Sequence, residues 1–334
     1  MKTKTLRPII YQDRWHMALY REIYKTIFLS VFKPLMQELD EVELMANEKD
    51  SILEQALKKG LIEYNGNQFT GDFSASISRE IKALGGKFID GAWTIHPTKL
   101  PLKLKRAIAI NKVKSELLQQ RLTKQLDNMV GKTSVLVKNM TIQSMGVSTM
   151  DRVSKEFKRT IRKNVAVQPQ LDEIGLEKIS KDYLTTIDLP IRKKLLREFE
   201  EGATKAIENF EQDIVEKLRS KLQTIILDGR SRDTVKKTIM AELNISKTRA
   251  KFIARQETAL LTTKFKKSQY QQYGVNQYKW VTVGDHKVRE RHNELDGEII
   301  DWDRPPVVDE KTGRTAHAGE DWNCRCIAQP IVSW

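Results

Sequence analysis

The chain has 334 residues, two cysteines and a formal net charge of +14. That length supports two or three domains with substantial cores, and two cysteines one residue apart cannot build a disulfide framework, so nothing implies an oxidising compartment. The start lacks an apolar signal core, and the most apolar stretch, residues 19–39, is interrupted by Arg21, Glu22, Lys25 and Lys33, which excludes a membrane span.

The composition reads as a soluble protein made in a reducing cytoplasm, and the basic excess suggests a polyanionic partner, either nucleic acid or an acidic protein. In chain order, Leu19/Tyr20, Ile23/Tyr24, Ile27/Phe28 and Val31/Phe32 recur four apart and predict a helix with a wide apolar stripe. Pro34 should kink or end it, and a second, acidic helix should run through Glu38 to residue 57. A stripe this aromatic must bury against its own domain's core or dock on a partner. These elements form an N-terminal helical segment, 1–62.

Residues 63–101 read as a small α+β module. Ile77, Ile81 and Leu84 share one face of a predicted helix over 74–84, with Gly85-Gly86 as its stop. Residues 87–95 then read as a hairpin around Asp90-Gly91, a favoured two-residue turn. Pro97 and Pro101 close the module.

Residues 102–240 are a basic long-helix region. From 102 to about 161, Lys103, Lys105, Arg106, Lys112, Lys114, Arg121, Lys124, Lys132 and Lys138 face few acids. One reading is a solvated helix face. The other is a surface for packaged double-stranded DNA or an acidic partner, since neutralising phosphates gains from counterion release. No aromatics stand among these cations to stack on bases, so such binding would be independent of sequence. From 190 to 227, Leu195, Phe199, Ala203, Ile207, Phe210, Ile214, Leu218 and Leu222 step by threes and fours. They predict a rod on the order of 50–60 Å long, stopped by Asp228-Gly229.

The last segment, 241–334, opens with a helix predicted from Asn244 or Ser246 to Tyr273, ended by Gly274 and followed by a strand over 278–283. Its closing part is acidic, opposite in charge to the middle of the chain. The fold class is therefore mainly α with small α+β modules: long amphipathic helices plus a C-terminal α/β knot holding a Cys-x-Cys.

That knot carries the chemistry. Both cysteines lie in Asp321-Trp322-Asn323-Cys324-Arg325-Cys326, and cysteine used nowhere else points to reactivity or a metal. His292, on a short helix predicted over 286–295, joins Cys324 and Cys326 as candidate zinc ligands, with a fourth from Asp321, His317, His286 or Asp285. His292-Asn293-Glu294 ahead of paired cysteines has the order of the zinc deaminases, but their cysteines are spaced Cys-x-x-Cys, so that reading fails.

Several residues occur here in a recognisable order. A helix carries Arg249, Ala250, Ile253, Ala254, Arg255 and Glu257, and Tyr270 and Gly274 follow. Then come Trp280, Thr282 and Asp285, the run His292-x-x-Leu295-Asp296-Gly297, and Asn323-Cys324-Arg325-Cys326 with Pro330. This stretch resembles the C-terminal domain of the phage Mu protein F-like minor head proteins, a head-morphogenesis family of tailed bacteriophages. The opening around Leu6-Arg7-Pro8 and Trp15, and the segment from Ser78 to Phe88 leading to Trp93, are similar to parts found ahead of that domain. Many relatives have Cys-x-x-Cys where this chain has Arg289-Glu290-Arg291-His292, and Arg289 cannot ligate. Two readings therefore stay open. One is a zinc site at His292, Cys324, Cys326 and Asp321. The other is a metal-free knot in which Arg289 and Arg325 pair with Asp285 and Glu257.

The resemblance implies a minor head protein, made in the host cytoplasm, that joins the procapsid in few copies and resides in the virion at the portal vertex or head interior. Its implied partners are the portal protein, the scaffold or major capsid protein, and packaged DNA. It implies no catalytic residue, membrane or small-molecule substrate. The family motif is then Arg255, Glu257, Trp280, Asp285, Gly297 and Arg325. The alternative is an injected effector or metal-dependent nucleic-acid-modifying enzyme using His292, Glu294, Cys324 and Cys326. Some members carry toxin domains after the knot, and a chain stopping eight residues past Cys326 leaves none expected.

Overall fold

A computed structural model describes residues 3–8, 10, 12–42, 50–129, 142–175, 189–227 and 232–333. The apolar recurrence near the N-terminus forms helix α1 (Met17–Ile27), a π-helical turn (Phe28–Phe32) and helix α2 (Lys33–Val42). Leu19, Ile23, Ile27, Val31, Phe32 and Leu35 are all buried within the chain, so the stripe is core. Pro34 does not end the helix. Its ring would crowd the carbonyl of Ser30, four residues back, and the wider π turn just before it relieves that contact. The acidic helix predicted through 57 is not one element: α2 stops at Val42, and α3 (Ile52–Lys58) starts afresh. Its start is a capping box, in which Ser51 Oγ accepts from the Glu54 N–H and the Glu54 carboxylate accepts from the Ser51 N–H, each at 3.2 Å.

The α+β module follows as β2 (Ile62–Asn65), β3 (Gln68–Gly71), α4 (Ala75–Ala83), β4 (Lys87–Ile89) and β5 (Ala92–Thr94), β1 being described below. The strands form an antiparallel sheet in the order β2-β3-β5-β4. Asp90 and Gly91 both take positive φ (49° and 82°), as a twisted two-residue hairpin requires. Helix α5 (Leu102–Met129) then buries Leu104, Ala107, Asn111, Ser115, Leu118, Leu122 and Leu126 at steps of three and four. Leu104 and Ala107 belong to the same core as Leu57, Ile62, Phe69 and Ile81. The module and the basic helix thus share one interior, and residue 101 divides nothing that packs separately.

Helix α6 (Ile142–Val167) comes next; Lys132, Lys138 and the predicted helix over 130–141 lie outside the described residues, as does the Asp228-Gly229 stop. Gly146 of α6 lets α7 (Leu189–Leu227) approach closely, since a Cβ there would stand 2.9 Å from Leu196 and Phe199 side-chain atoms. Helix α8 (Arg232–Gln272) begins well before the predicted start at 244 or 246. Asn and Ser favour caps, but Ile239, Leu243 and Ser246 are all buried on a continuous helix, and packing overrides that preference.

After α8 come β6 (Gln277–Val281), a short α9 (Glu290–Glu294), β7 (Ile299–Asp301), β8 (Val307–Asp309), β9 (Arg314–Thr315) and β10 (Ile327–Ser333). The first strand, β1 (Thr3–Thr5), pairs antiparallel with the last, Thr3 opposite Ser333 and Thr5 opposite Ile331, giving a sheet in the order β1-β10-β6-β7. The contacts divide the chain into two units, neither continuous in sequence: 1–23, 139–207 and 249–334 form one, and 24–138 with 208–248 the other. This is not the sequential partition at 62, 101 and 240. Strand β1 joins the C-terminal sheet, and α7 and α8 each contribute one end to each unit. Among the described residues no helix is long and apolar enough to cross a membrane.

Candidate metal centre

Strand β6 alternates, burying Tyr278 and Trp280 while Gln277 and Lys279 face out. The chain then turns through Gly284 to Asp285, whose carboxylate takes both Nη groups of Arg325 at 2.6 Å. The Arg325 guanidinium holds the Asp285 carboxyl down at about 2. Helix α9 carries His292, only 2% exposed, edge-on to the Trp280 indole at 5.4 Å. The turn after α9 is fixed by Gly297 at φ 90°, whose N–H reaches the Trp280 carbonyl at 2.8 Å. Asp296 of the same turn accepts from the Thr282 N–H at 2.7 Å.

The cysteine loop is held from α8. Gln256 accepts from the Asn323 N–H at 2.7 Å and donates to the Glu320 carbonyl at 3.0 Å. This clamp fixes Asn323 at φ 51° and places Cys324 and Cys326 beside His292. Sequence reasoning named Arg255 and Glu257 and passed over the Gln256 between them.

His292 Nδ1 lies 3.5 Å from both sulfurs. The other ring nitrogen, Nε2, is 3.1 Å from Asp321 Oδ2. Asp321, fully buried, also receives Arg289 at 3.0 Å, Arg314, and the Trp322 N–H at 2.8 Å. Asp321 therefore stands behind the imidazole as its orienting carboxylate, not beside the sulfurs as the expected fourth ligand. Of the other candidates, His317 Nδ1 faces the Tyr278 hydroxyl at 3.1 Å and Asp285 is bound to Arg325. Among the described residues the group able to hold a metal is His292, Cys324 and Cys326.

The pairing expected for a metal-free knot is half met. Arg325 takes Asp285, whereas Arg289 takes Asp321 and the Trp322 carbonyl rather than Glu257. Glu257 lies on another side of α8, against Gly202, and burial raises its pKa. Glu294, the general acid/base of the enzyme alternative, pairs with Arg291 at 2.7 Å. Two residues from His292 on the helix, it points away from the ring.

The two thiols titrate as a pair: a hydrogen bond from Cys326 lowers the pKa of Cys324, and Cys326, as the donor, is pushed up. All three groups line a cleft of about 350 Å³, with Arg255, Lys287, Arg289 and Arg325 on its walls and no carboxylate among its lining residues. A smaller cleft of about 160 Å³ shares Arg255, Cys324, Arg325 and Cys326 and reaches Lys266. Desolvation brings the Lys266 amine down to about 7.

The cations predicted on α5 do not gather into one stripe. With Leu104, Leu118 and Leu122 facing the core, Lys105 and Lys112 fall on one flank and Lys103, Lys114 and Arg121 on the other. Arg106 and Lys124 lie opposite the core. Arg121 is held by Glu38 at 3.4 Å.

Residues 216–329 match the model of the family described as Phage Mu protein F like protein. The chain is 32% identical over 116 residues to an uncharacterised protein of Haemophilus influenzae, covering 34% of this chain and 25% of that one. It is also 25% identical over 174 residues to the NAD(+)--arginine ADP-ribosyltransferase EFV of Enterococcus faecalis, covering 49% of this chain and 34% of that protein. The chain thus spans a quarter to a third of the length of these relatives. No solved structure matches the chain.

Proposed function

With a Phage Mu F-like domain over residues 216–329, we propose that this chain is a minor head protein of a tailed bacteriophage, acting in head assembly at the portal vertex in few copies. The observation that carries the reading is the family match together with what its motif residues do. Trp280, Asp285, Gly297 and Arg325 brace one another and the cysteine loop, the work of a rigid fold unit more than of a reaction centre. The cations of α5, spread around its solvated sides, suit a diffuse contact with packaged DNA or an acidic portal surface, independent of base sequence. The test is a deletion in the encoding phage, complemented in trans. Heads that fail to form or to fill, rescued by the wild-type chain, support the role; normal titre and normal heads without the chain reject it.

The name of the Enterococcus relative prompts a second reading, transfer of ADP-ribose from NAD+ to arginine. The cationic cleft beside His292 would suit the pyrophosphate of such a dinucleotide. Incubation with labelled NAD+ and an arginine-rich acceptor decides it: label on the acceptor would establish the transferase, and no transfer leaves the head role standing.

A further inference from the structure

We propose that His292, Cys324 and Cys326 form a three-ligand zinc site whose fourth coordination position opens into the cationic cleft and accepts an oxyanion. The first support is distance. Zinc bonds of about 2.3 Å to sulfur and about 2.0–2.1 Å to nitrogen, at tetrahedral angles, put each N···S edge at about 3.6 Å. Both edges from His292 Nδ1 measure 3.5 Å. Both sulfurs thus already stand from the ring nitrogen at the separation that a zinc ion held by the three atoms would need.

The second support is the orientation of the imidazole. Nε2 donates to Asp321, so Nδ1 keeps its lone pair toward the sulfurs. A carboxylate behind a ligating histidine is the usual outer partner of such a metal, fixing the tautomer and raising ligand basicity. Asp321 is itself immobilised by Arg289, Arg314 and the Trp322 N–H. The Cys326 N–H points at Cys324 Sγ from 3.3 Å, a donor suited to a thiolate. Two thiolates and an imidazole form a set that suits zinc.

The open position follows from what surrounds the trio. Closed structural sites take four protein ligands, and open sites keep three and leave one place to an outside ligand. Among the described residues no fourth His, Cys, Asp or Glu joins the group. Arg289 stands at the start of α9 and cannot ligate, and Asp321 faces the opposite ring nitrogen. All three ligands line the larger cleft, whose walls carry Arg255 and Lys287 beside Arg289 and Arg325, the last two already paired with Asp321 and Asp285. Zinc with two thiolates is formally neutral, so these cations rather than the metal supply the selectivity for an anion.

The test uses the full chain, stripped of metal and titrated with Co2+ as a spectroscopic stand-in for zinc. One equivalent should bind, with a thiolate-to-cobalt charge-transfer band and intense tetrahedral d–d bands. Inorganic phosphate, and separately thiocyanate, should shift the d–d bands saturably without releasing the ion. Cys324→Ser and Cys326→Ser should abolish stoichiometric binding. Asp321→Asn should keep one site and weaken it by about 10–100-fold. Arg255→Gln should weaken phosphate binding while leaving cobalt stoichiometry unchanged. Absence of stoichiometric binding, or binding unchanged in both cysteine variants, would overturn the site. Tetrahedral bands that no anion alters would overturn the open position. The wild-type spectrum alone decides these points if a cysteine variant fails to fold.

Discussion

Asp321→Asn isolates the hub of the C-terminal knot. The wild-type carboxylate, fully buried, accepts from Arg289, Arg314, the His292 ring and the Trp322 N–H. Asparagine keeps one carbonyl oxygen, enough for the Trp322 N–H, and turns an amide donor toward groups that are themselves donors. The Arg289 and Arg314 side chains are 45% and 36% exposed, so solvent screens them and each loses only about 0.5–1 kcal/mol. The buried His292 N–H loses its acceptor, which costs about 1–3 kcal/mol. The sum is about 3 kcal/mol, roughly a hundredfold in the local opening equilibrium. Native-state hydrogen exchange read on peptides within 277–333 measures that opening separately from the rest of the molecule. Protection there should fall by about a hundredfold, and Arg289→Gln should lose no more than about fivefold. Protection unchanged in Asp321→Asn, or an Arg289→Gln effect of equal size, would refute the hub.

Three further outcomes are expected. Gly71→Ala would place a Cβ 2.3 Å from the Leu61 carbonyl oxygen at φ 124°, so the β2–β3 hairpin must shift at a cost on the order of 3 kcal/mol; thermal unfolding within about 1 kcal/mol of wild type would contradict that geometry. Lys266, with its folded pKa near 7 against the ordinary 10.5 of an unfolded lysine, binds fewer protons folded than unfolded between those values, so stability should rise with pH across that window. Lys266→Met should flatten that rise in denaturant titrations at pH 7 and 9.5, and a flat wild-type profile would sink the assignment. Replacing Lys103, Lys105, Arg106 and Lys112 together by Gln should reduce the salt dependence of duplex DNA binding, by about 0.9 in log–log slope for each phosphate no longer neutralised. Arg121→Gln, already tied to Glu38, should change that slope little; an unaltered slope in the fourfold variant would remove α5 from the DNA-binding surface.

Features set by neighbouring residues were legible in the sequence. The Asp90-Gly91 hairpin needs only two residues in positive φ, and the Ser74–Leu84 helix only its cap and spacing. Pairing across the chain was not legible: nothing local in Lys4 and its neighbours announces that Thr3 lies opposite Ser333. The start of α8 was hidden because Asn244 and Ser246 look like caps until Leu243 and Ser246 are seen buried. At the centre, His292, Cys324 and Cys326 stood out by residue type and do converge. Asp321 was singled out in the wrong position, because spacing cannot say which nitrogen of the ring a carboxylate will face. Gln256, an uncharged residue on a long helix, carried no signal, and its clamp on the cysteine loop exists only in the folded arrangement.

The head-protein account is tested most directly by quantitative mass spectrometry of purified particles of the encoding phage, before and after DNA ejection. The account predicts the chain in procapsids and virions at a few copies relative to portal. Retention after ejection would place it on the portal or shell, and loss would place it with the DNA. Absence from both procapsids and virions would contradict the account.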